Sequence, residues 1–120
     1  MIEYRIYQSV YDDIISGKKT IEFRLLNEKS ADIKKDDLIK FVVLNSDLSV
    51  VVKVVNKYIY ADINDMWKHR KQIENNILNY STKEELEDAF IEIFGKDKLE
   101  NSEIVGIEFK LKNIKNDNID

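Results

Sequence analysis

Apolar and polar residues alternate from the start of the chain. Ile2, Tyr4 and Ile6 stand against Glu3, Arg5 and Tyr7, which predicts a short strand. Ser9-Val10-Tyr11-Asp12 then has the spacing of a capping box, with Val10/Ile14 and Tyr11/Ile15 paired at i,i+4. This predicts a short helix, with Gly17 placed for a left-handed C-terminal cap. Residues 20–26 alternate again, with Ile21, Phe23 and Leu25 on one face and Thr20, Glu22 and Arg24 on the other. Residues 27–37 are polar and irregular, with room for one helical turn. Residues 38–44 are a near-continuous apolar run that fits a buried strand, and Asn45-Ser46-Asp47 marks a turn. Residues 49–60 are a β-branched run with Val50, Val52, Val54, Tyr58 and Tyr60 on one face. A strand of that length calls for strong curvature or a bulge.

Residues 63–79 are helical but poorly patterned. The sharpest helix signal follows. Ser81-Thr82-Lys83-Glu84 is a full capping box, Leu86, Ala89, Phe90, Ile93 and Phe94 form an apolar stripe, and Gly95 ends it. Packing through Leu86, Phe90 and Ile93 is expected. Val105, Ile107, Phe109 and Leu111 alternate as a last strand. Residues from Asn113 lack periodicity and read as a flexible tail. The order β-α-β-β-β-α-α-β places the chain in the α+β class, as a small curved barrel with inserted helices.

At 120 residues the chain reads as one domain over 1–112 with a tail over 113–120. It has no cysteine, which excludes disulfides and thiolate metal sites and leans toward the cytoplasm. The first residues mix acid and base, unlike a secretory leader. No apolar run reaches membrane-spanning length, so no membrane partner is expected. His69 is the single histidine and has no second ligand or nucleophile at a meaningful spacing; neither a metal nor a cofactor is expected. The net charge of −4 argues against a basic, sequence-blind nucleic-acid binder. Residues 1–60 nevertheless carry ten Lys/Arg against nine Asp/Glu, whereas residues 61–120 carry nine against fourteen. An anion site therefore belongs in the first half.

The segment Gly17-Lys18-Lys19-Thr20-Ile21-Glu22-Phe23-Arg24 concentrates that chemistry. A basic turn leads into a strand whose polar face bears Thr20, Glu22 and Arg24. Lys19 and Arg24 could meet an anion or a carbonyl, and Glu22 could accept from the N–H of a base edge. The alternative is a solvated strand face with ion pairs worth little. Strict alternation would send Lys19 toward the core; a turn after Gly17 is expected to swing it beside Glu22 and Arg24 instead. Tyr80, just before the helix at 81, could staple the helix entry or stand over a cleft, next to helix N–H groups at Ser81 that can meet an anion. Tyr58 and Tyr60 are expected in the core, and His69 on the surface.

The pattern Gly-x-Lys-x-x-Glu-x-Arg, met by Gly17, Lys19, Glu22 and Arg24, resembles the signature of the ASCH domain family. The helix end Ile14-Ile15-Ser16-Gly17, the segment Asp37-Leu38-Ile39-Lys40-Phe41, the late helix before Gly95 and the closing Val105-Gly106-Ile107-Glu108-Phe109 are also similar to that family, so the resemblance covers residues 2–111. It implies a PUA-like β-barrel with a cleft between barrel and helices, lined by the motif's Lys, Glu and Arg. The implied partner is RNA or a nucleotide or nucleoside.

One branch of small bacterial members hydrolyses the acetyl amide of N4-acetylcytidine with a Lys, a Thr three residues later and a Glu ahead of the late helix. Lys19 matches the first, Glu22 stands at the second, and Glu74 lies in the right connector but out of register. The reading is therefore a cleft for a nucleotide, nucleoside or RNA feature held by Lys19, Glu22 and Arg24, with Thr20, Tyr80 and Ser81 beside them. The alternatives are an amidohydrolase using Lys19 and Glu22, with Glu74 as a third candidate, and a protein-interaction module. The oligomeric state is not legible.

Overall fold

A computed structural model describes residues 1–73 and 80–116, with side chains up to residue 112. Five strands form one curled sheet: β1 (Ile2–Ile6), β2 (Ile21–Leu25), β3 (Leu38–Val43), β4 (Leu48–Tyr60) and β5 (Ile104–Asn116). Their order is β1-β3-β4-β5-β2, parallel between β1 and β3 and antiparallel elsewhere. This is the α+β curled half-barrel with inserted helices that the element order predicts, and it agrees with the PUA-like barrel that the resemblance implies. The helices are α1 (Gln8–Ile15), the single turn α2 (Glu28–Ala31), α3 (Ile63–Lys68) followed by a 3-10 turn (Arg70–Gln72), α4 (Lys83–Phe94) and α5 (Lys96–Glu100). Among the described residues no helix is long and apolar enough to cross a membrane.

Each face of the sheet buries its own core. One gathers Tyr4, Ile6, Phe41, Val50, Val52, Val54, Val105, Ile107 and Phe109 with Tyr11 and Ile14 of α1. The other gathers Ile21, Tyr60 and Ile104 with Met66, Leu86, Phe90 and Leu99 from the helices. The expected single face for Val50 to Tyr60 does not form. The register shifts between Val54 and Asn56, so that Val54 opposes Phe109 and Asn56 opposes Glu108. That bulge, whose extra residue is Val55, flips the pleat. Val50, Val52 and Val54 enter the first core, whereas Tyr58 and Tyr60 join the second. Lys57 now faces inward, and its Nζ donates to the carbonyls of Ala31 and Ile33.

The caps also differ from the sequence reading. Tyr7 is the N-cap of α1 and makes no side-chain cap, so Ser9 lies inside the first turn and its box does not form. At α4 the box shifts by one residue. Thr82 caps the Glu85 N–H, and the Glu85 carboxylate takes the Ser81 N–H. Thr82 and Glu85 have the same three-residue spacing as Ser81 and Glu84, so the pattern alone allows both. Ile93 is 68% exposed and does not pack on the sheet. The helix rests on Leu86 and Phe90, with Ile91 and Phe94 partly buried on one flank, while Ile93 hangs over the other. β5 continues to Asn116, opposite Leu48, five residues past the end of the predicted alternation at Leu111, and residues 117–120 lie outside the described ones.

Two features of the second core lead to measurable outcomes. Gly106 faces Phe23 across the β2–β5 pair, and a Cβ there would come within 3.0 Å of the Phe23 ring. That ring packs on Phe90 at 5.9 Å between centroids. Gly106→Ala is expected to lower stability by about 1–3 kcal/mol in denaturant melts, as overpacking does. The loss should shrink when it is introduced beside Phe23→Leu in a double-mutant cycle. Tyr60 is buried and donates to Gln72 Oε1; burial, then the neighbouring Tyr58 and Asp65, raises its pKa to about 12. The unfolded chain would release that proton near 10, so the folded state binds more protons above pH 10. This contribution is complete below pH 10 and is lost as pH rises toward 12. Tyr60→Phe should therefore flatten the fall in unfolding midpoint across that window.

Candidate functional site

β1 and β2 are the two edges of the sheet, and the curl brings them side by side without a ladder between them. Leu44 N–H donates to the Ile6 carbonyl, so even-numbered residues of β1 bond toward β3 and the carbonyls of Glu3 and Arg5 face the seam. They are met by side chains. Arg24 Nη2 donates to the Arg5 carbonyl at 3.3 Å, and Lys29 Nζ donates to that of Glu3. Between those carbonyls lies Tyr4, whose ring carries the Arg24 guanidinium at 4.4 Å and the Lys29 ammonium at 4.2 Å. Burial raises the pKa of the Tyr4 phenol, offset in part by Arg24 and reinforced by Glu22.

Glu22 stands on the same face of the sheet as the Ile107 beside it and is only 7% exposed. A carboxylate so placed needs partners. Lys19 Nζ lies 3.2 Å from Oε1, and Arg24 reaches Oε2 with Nη2 at 2.8 Å and Nε at 3.2 Å. Lys19 gets there as expected. α1 ends at Ile15, Gly17 takes φ 82°, and Lys19 N–H turns back to the Asp13 carbonyl before β2 begins at Ile21. The pleat that would have sent Lys19 into the core therefore does not yet apply.

These groups form the floor of a cleft of about 330 Å³. Arg5, Ile6, Tyr7 and Val10 make one wall. Tyr80 with Phe90, Ile93 and Phe94 of α4 makes the other, and Phe23 completes the floor. Of the residues singled out in the sequence, Lys19, Glu22, Arg24 and Tyr80 come together here. Thr20 and Ser81 are exposed and do not line the cleft. The Ser81 N–H proposed for an anion is taken by Glu85. Glu74 lies outside the described residues. His69 is exposed, with Nδ1 beside the backbone carbonyl and carboxylate of Asp65. Among the described residues no cluster of His, Asp or Glu could hold a metal.

The sequence did not point to Arg5, Tyr7 or Ile93 as cleft residues. Arg5 and Tyr7 are the outward side of an alternating strand, which any solvated edge shows. Ile93 belongs to an apolar stripe, and only its 68% exposure separates it from the core residues of that stripe. Tyr7, 70% exposed, gives the same signal.

A family model described as the ASCH domain matches residues 5–103. No curated protein matches the chain. Among solved structures it is similar to the hypothetical protein PH0355, at 23% identity and TM-score 0.71 over 92% of this chain and 97% of that one. It is similar to protein PF0455 from Pyrococcus furiosus, at 25% identity and TM-score 0.65 over 92% and 96%. The ASCH protein of Zymomonas mobilis shares the fold at 14% identity and TM-score 0.57, over 97% of this chain and 73% of that one. With the family model matching residues 5–103, the chain belongs to the ASCH domain family, in the PUA-like superfamily.

Proposed function

We propose that the cleft binds a nucleobase-bearing ligand: a nucleotide, a nucleoside or an unpaired RNA feature. The observation that carries this reading is the Lys19–Glu22–Arg24 arrangement on the floor of a cleft with aromatic and aliphatic walls. A carboxylate offers about four lone-pair positions, and here Oε2 accepts twice from Arg24 and Oε1 once from Lys19. Among the described residues Oε1 retains one acceptor position, and the Lys19 ammonium retains donors beside it. An acceptor and a donor side by side match the amino and carbonyl groups of a base edge. Tyr7 and Tyr80 offer ring faces for stacking. A cleft of this volume suits one nucleotide, in line with the general size of small-molecule sites.

The amidohydrolase reading is favoured by one contact, the 3.2 Å approach of Lys19 Nζ to Glu22 Oε1. In that reading Glu22 removes a proton from water and Lys19 stabilises the oxyanion formed at the acyl carbon. Both carboxylate oxygens already serve cations, so Glu22 would have to loosen its hold on Lys19 to turn to water. Binding is therefore the better-supported function.

Charged hydrogen bonds of this kind are worth about 1.5–3 kcal/mol, so Lys19→Ala or Arg24→Ala is expected to weaken the ligand about ten-fold or more in a calorimetric titration. Glu22→Gln should lower the melting temperature as well, because it deprives two cations of their common counterion. Unchanged affinity in all three variants would leave the interaction-module reading. For the hydrolase, N4-acetylcytidine is incubated with the protein and cytidine is sought by chromatography. Release that Glu22→Gln abolishes, with the fold intact by circular dichroism, would replace binding by catalysis.

A further inference from the structure

Resting on the nucleobase reading, we infer that the cleft selects ligands bearing a phosphate monoester and that Arg5 holds this group together with Arg24. The argument starts from the charge left over. Among the described residues, Arg5, Lys19 and Arg24 line the cleft against one carboxylate, Glu22. Glu22 is buried between Lys19 and Arg24 and neutralises one positive charge. Two positive charges remain among these described residues, on a chain whose total is −4. A neutral nucleoside would leave both uncompensated among partly apolar walls. A phosphate monoester carries about −1.5 to −2 at neutral pH and matches them.

The geometry agrees with the charge. Arg24 uses Nε and Nη2 for Glu22 and the Arg5 carbonyl, and its plane lies on Tyr4; Nη1 takes part in none of these hydrogen bonds. Among the described residues, the Nη1 donors of a guanidinium already fixed in place thus remain for a ligand, with little ordering cost left. Arg5 is the residue whose own carbonyl anchors Arg24, so its side chain springs from the rim beside those donors. It is exposed, on the outward face of β1 that also carries Tyr7. One fixed and one mobile guanidinium can grip a phosphate from two sides, Arg24 through Nη1 and Arg5 through a paired edge. A base attached to that phosphate would cover Tyr7 and Ile93, the two strongly exposed apolar side chains of the cleft walls. A phosphate monoester next to a nucleobase occurs in a free mononucleotide and at a phosphorylated strand end, and the cleft chemistry is the same for both.

The test is calorimetric titration of the full chain at low salt. The probes are the common ribonucleosides, their 5′- and 3′-monophosphates, and a short single-stranded RNA with and without a terminal phosphate. At least one monophosphate is expected to bind about ten-fold or more tightly than its nucleoside. That advantage should shrink with added salt, and also below about pH 6 as the monoester takes up its second proton. Arg5→Gln should remove most of the advantage, read as the gap between monophosphate and nucleoside affinity in the same variant, and Arg5→Lys should recover part of it. Arg5 is an exposed side chain, and circular dichroism checks that the variants fold. Tight binding of the phosphorylated RNA identifies a strand end as the source; tight binding of mononucleotides alone identifies a free nucleotide. If a nucleoside binds as tightly as its monophosphate, or if Arg5→Gln leaves the gap intact, the phosphate assignment falls and the nucleobase reading stands. If no probe binds, both fall.

Discussion

Glu22 is the constraint around which the seam is arranged. A carboxylate that is 7% exposed must be held by cations, and the segment around β2 supplies both of them. Arg24 comes from the same strand, two residues on, and Lys19 from the turn before it. Arg24 then does a second task by donating across to the Arg5 carbonyl, which ties β2 to β1 where no ladder joins them. The cleft is the space beside that tie. Closing the half-barrel and placing charge in the site are thus achieved by the same three side chains, and a change in any one of them is felt by both.

Much of this was legible in the sequence, and the limits have physical causes. The five strands, the α4 stripe and the left-handed Gly17 follow from periodicity and backbone sterics, which are local properties. The gathering of Lys19, Glu22 and Arg24 was legible because a glycine at φ 82° re-aims the chain before the pleat starts. A strand of that length called for strong curvature or a bulge, but the position of the bulge after Val54 depends on which residues β5 presents opposite. Alternation read straight through it therefore put Tyr58 and Tyr60 on the wrong side. The α4 cap was off by one because two adjacent residue pairs satisfy one pattern. Arg5, Tyr7 and Ile93 were illegible for a different reason: a residue that faces solvent and one that faces a cleft leave the same mark on a sequence.

Edge strands usually carry a hazard, since unpaired backbone groups invite another strand. β1 exposes the Glu3 and Arg5 carbonyls in just that way, and the fold covers them with cations rather than with a sixth strand. Covering carbonyls with cations satisfies acceptors and leaves charge, and Tyr4 is the residue that makes this tolerable. Its ring lies between the two bonded carbonyls and offers its π-face to both Arg24 and Lys29. Its hydroxyl, in contrast, is buried without a hydrogen-bond partner among the described residues, at an energetic cost. The position thus uses the aromatic face and gains nothing from the phenol oxygen.

The same logic explains how an acidic protein can present a cationic cleft. A cation scattered on a solvated surface is screened and contributes little field. Here the cations are collected at one seam, fixed by backbone carbonyls, an aromatic ring and one buried carboxylate, and walled by apolar side chains that keep water away from part of the space. In such surroundings a charge acts more strongly on a ligand than it would in open solvent. The overall charge of −4 then works in the same direction as the cleft. It disfavours a long polyanion laid across the surface, and it leaves the seam as the place where a single anionic group of limited size can be met.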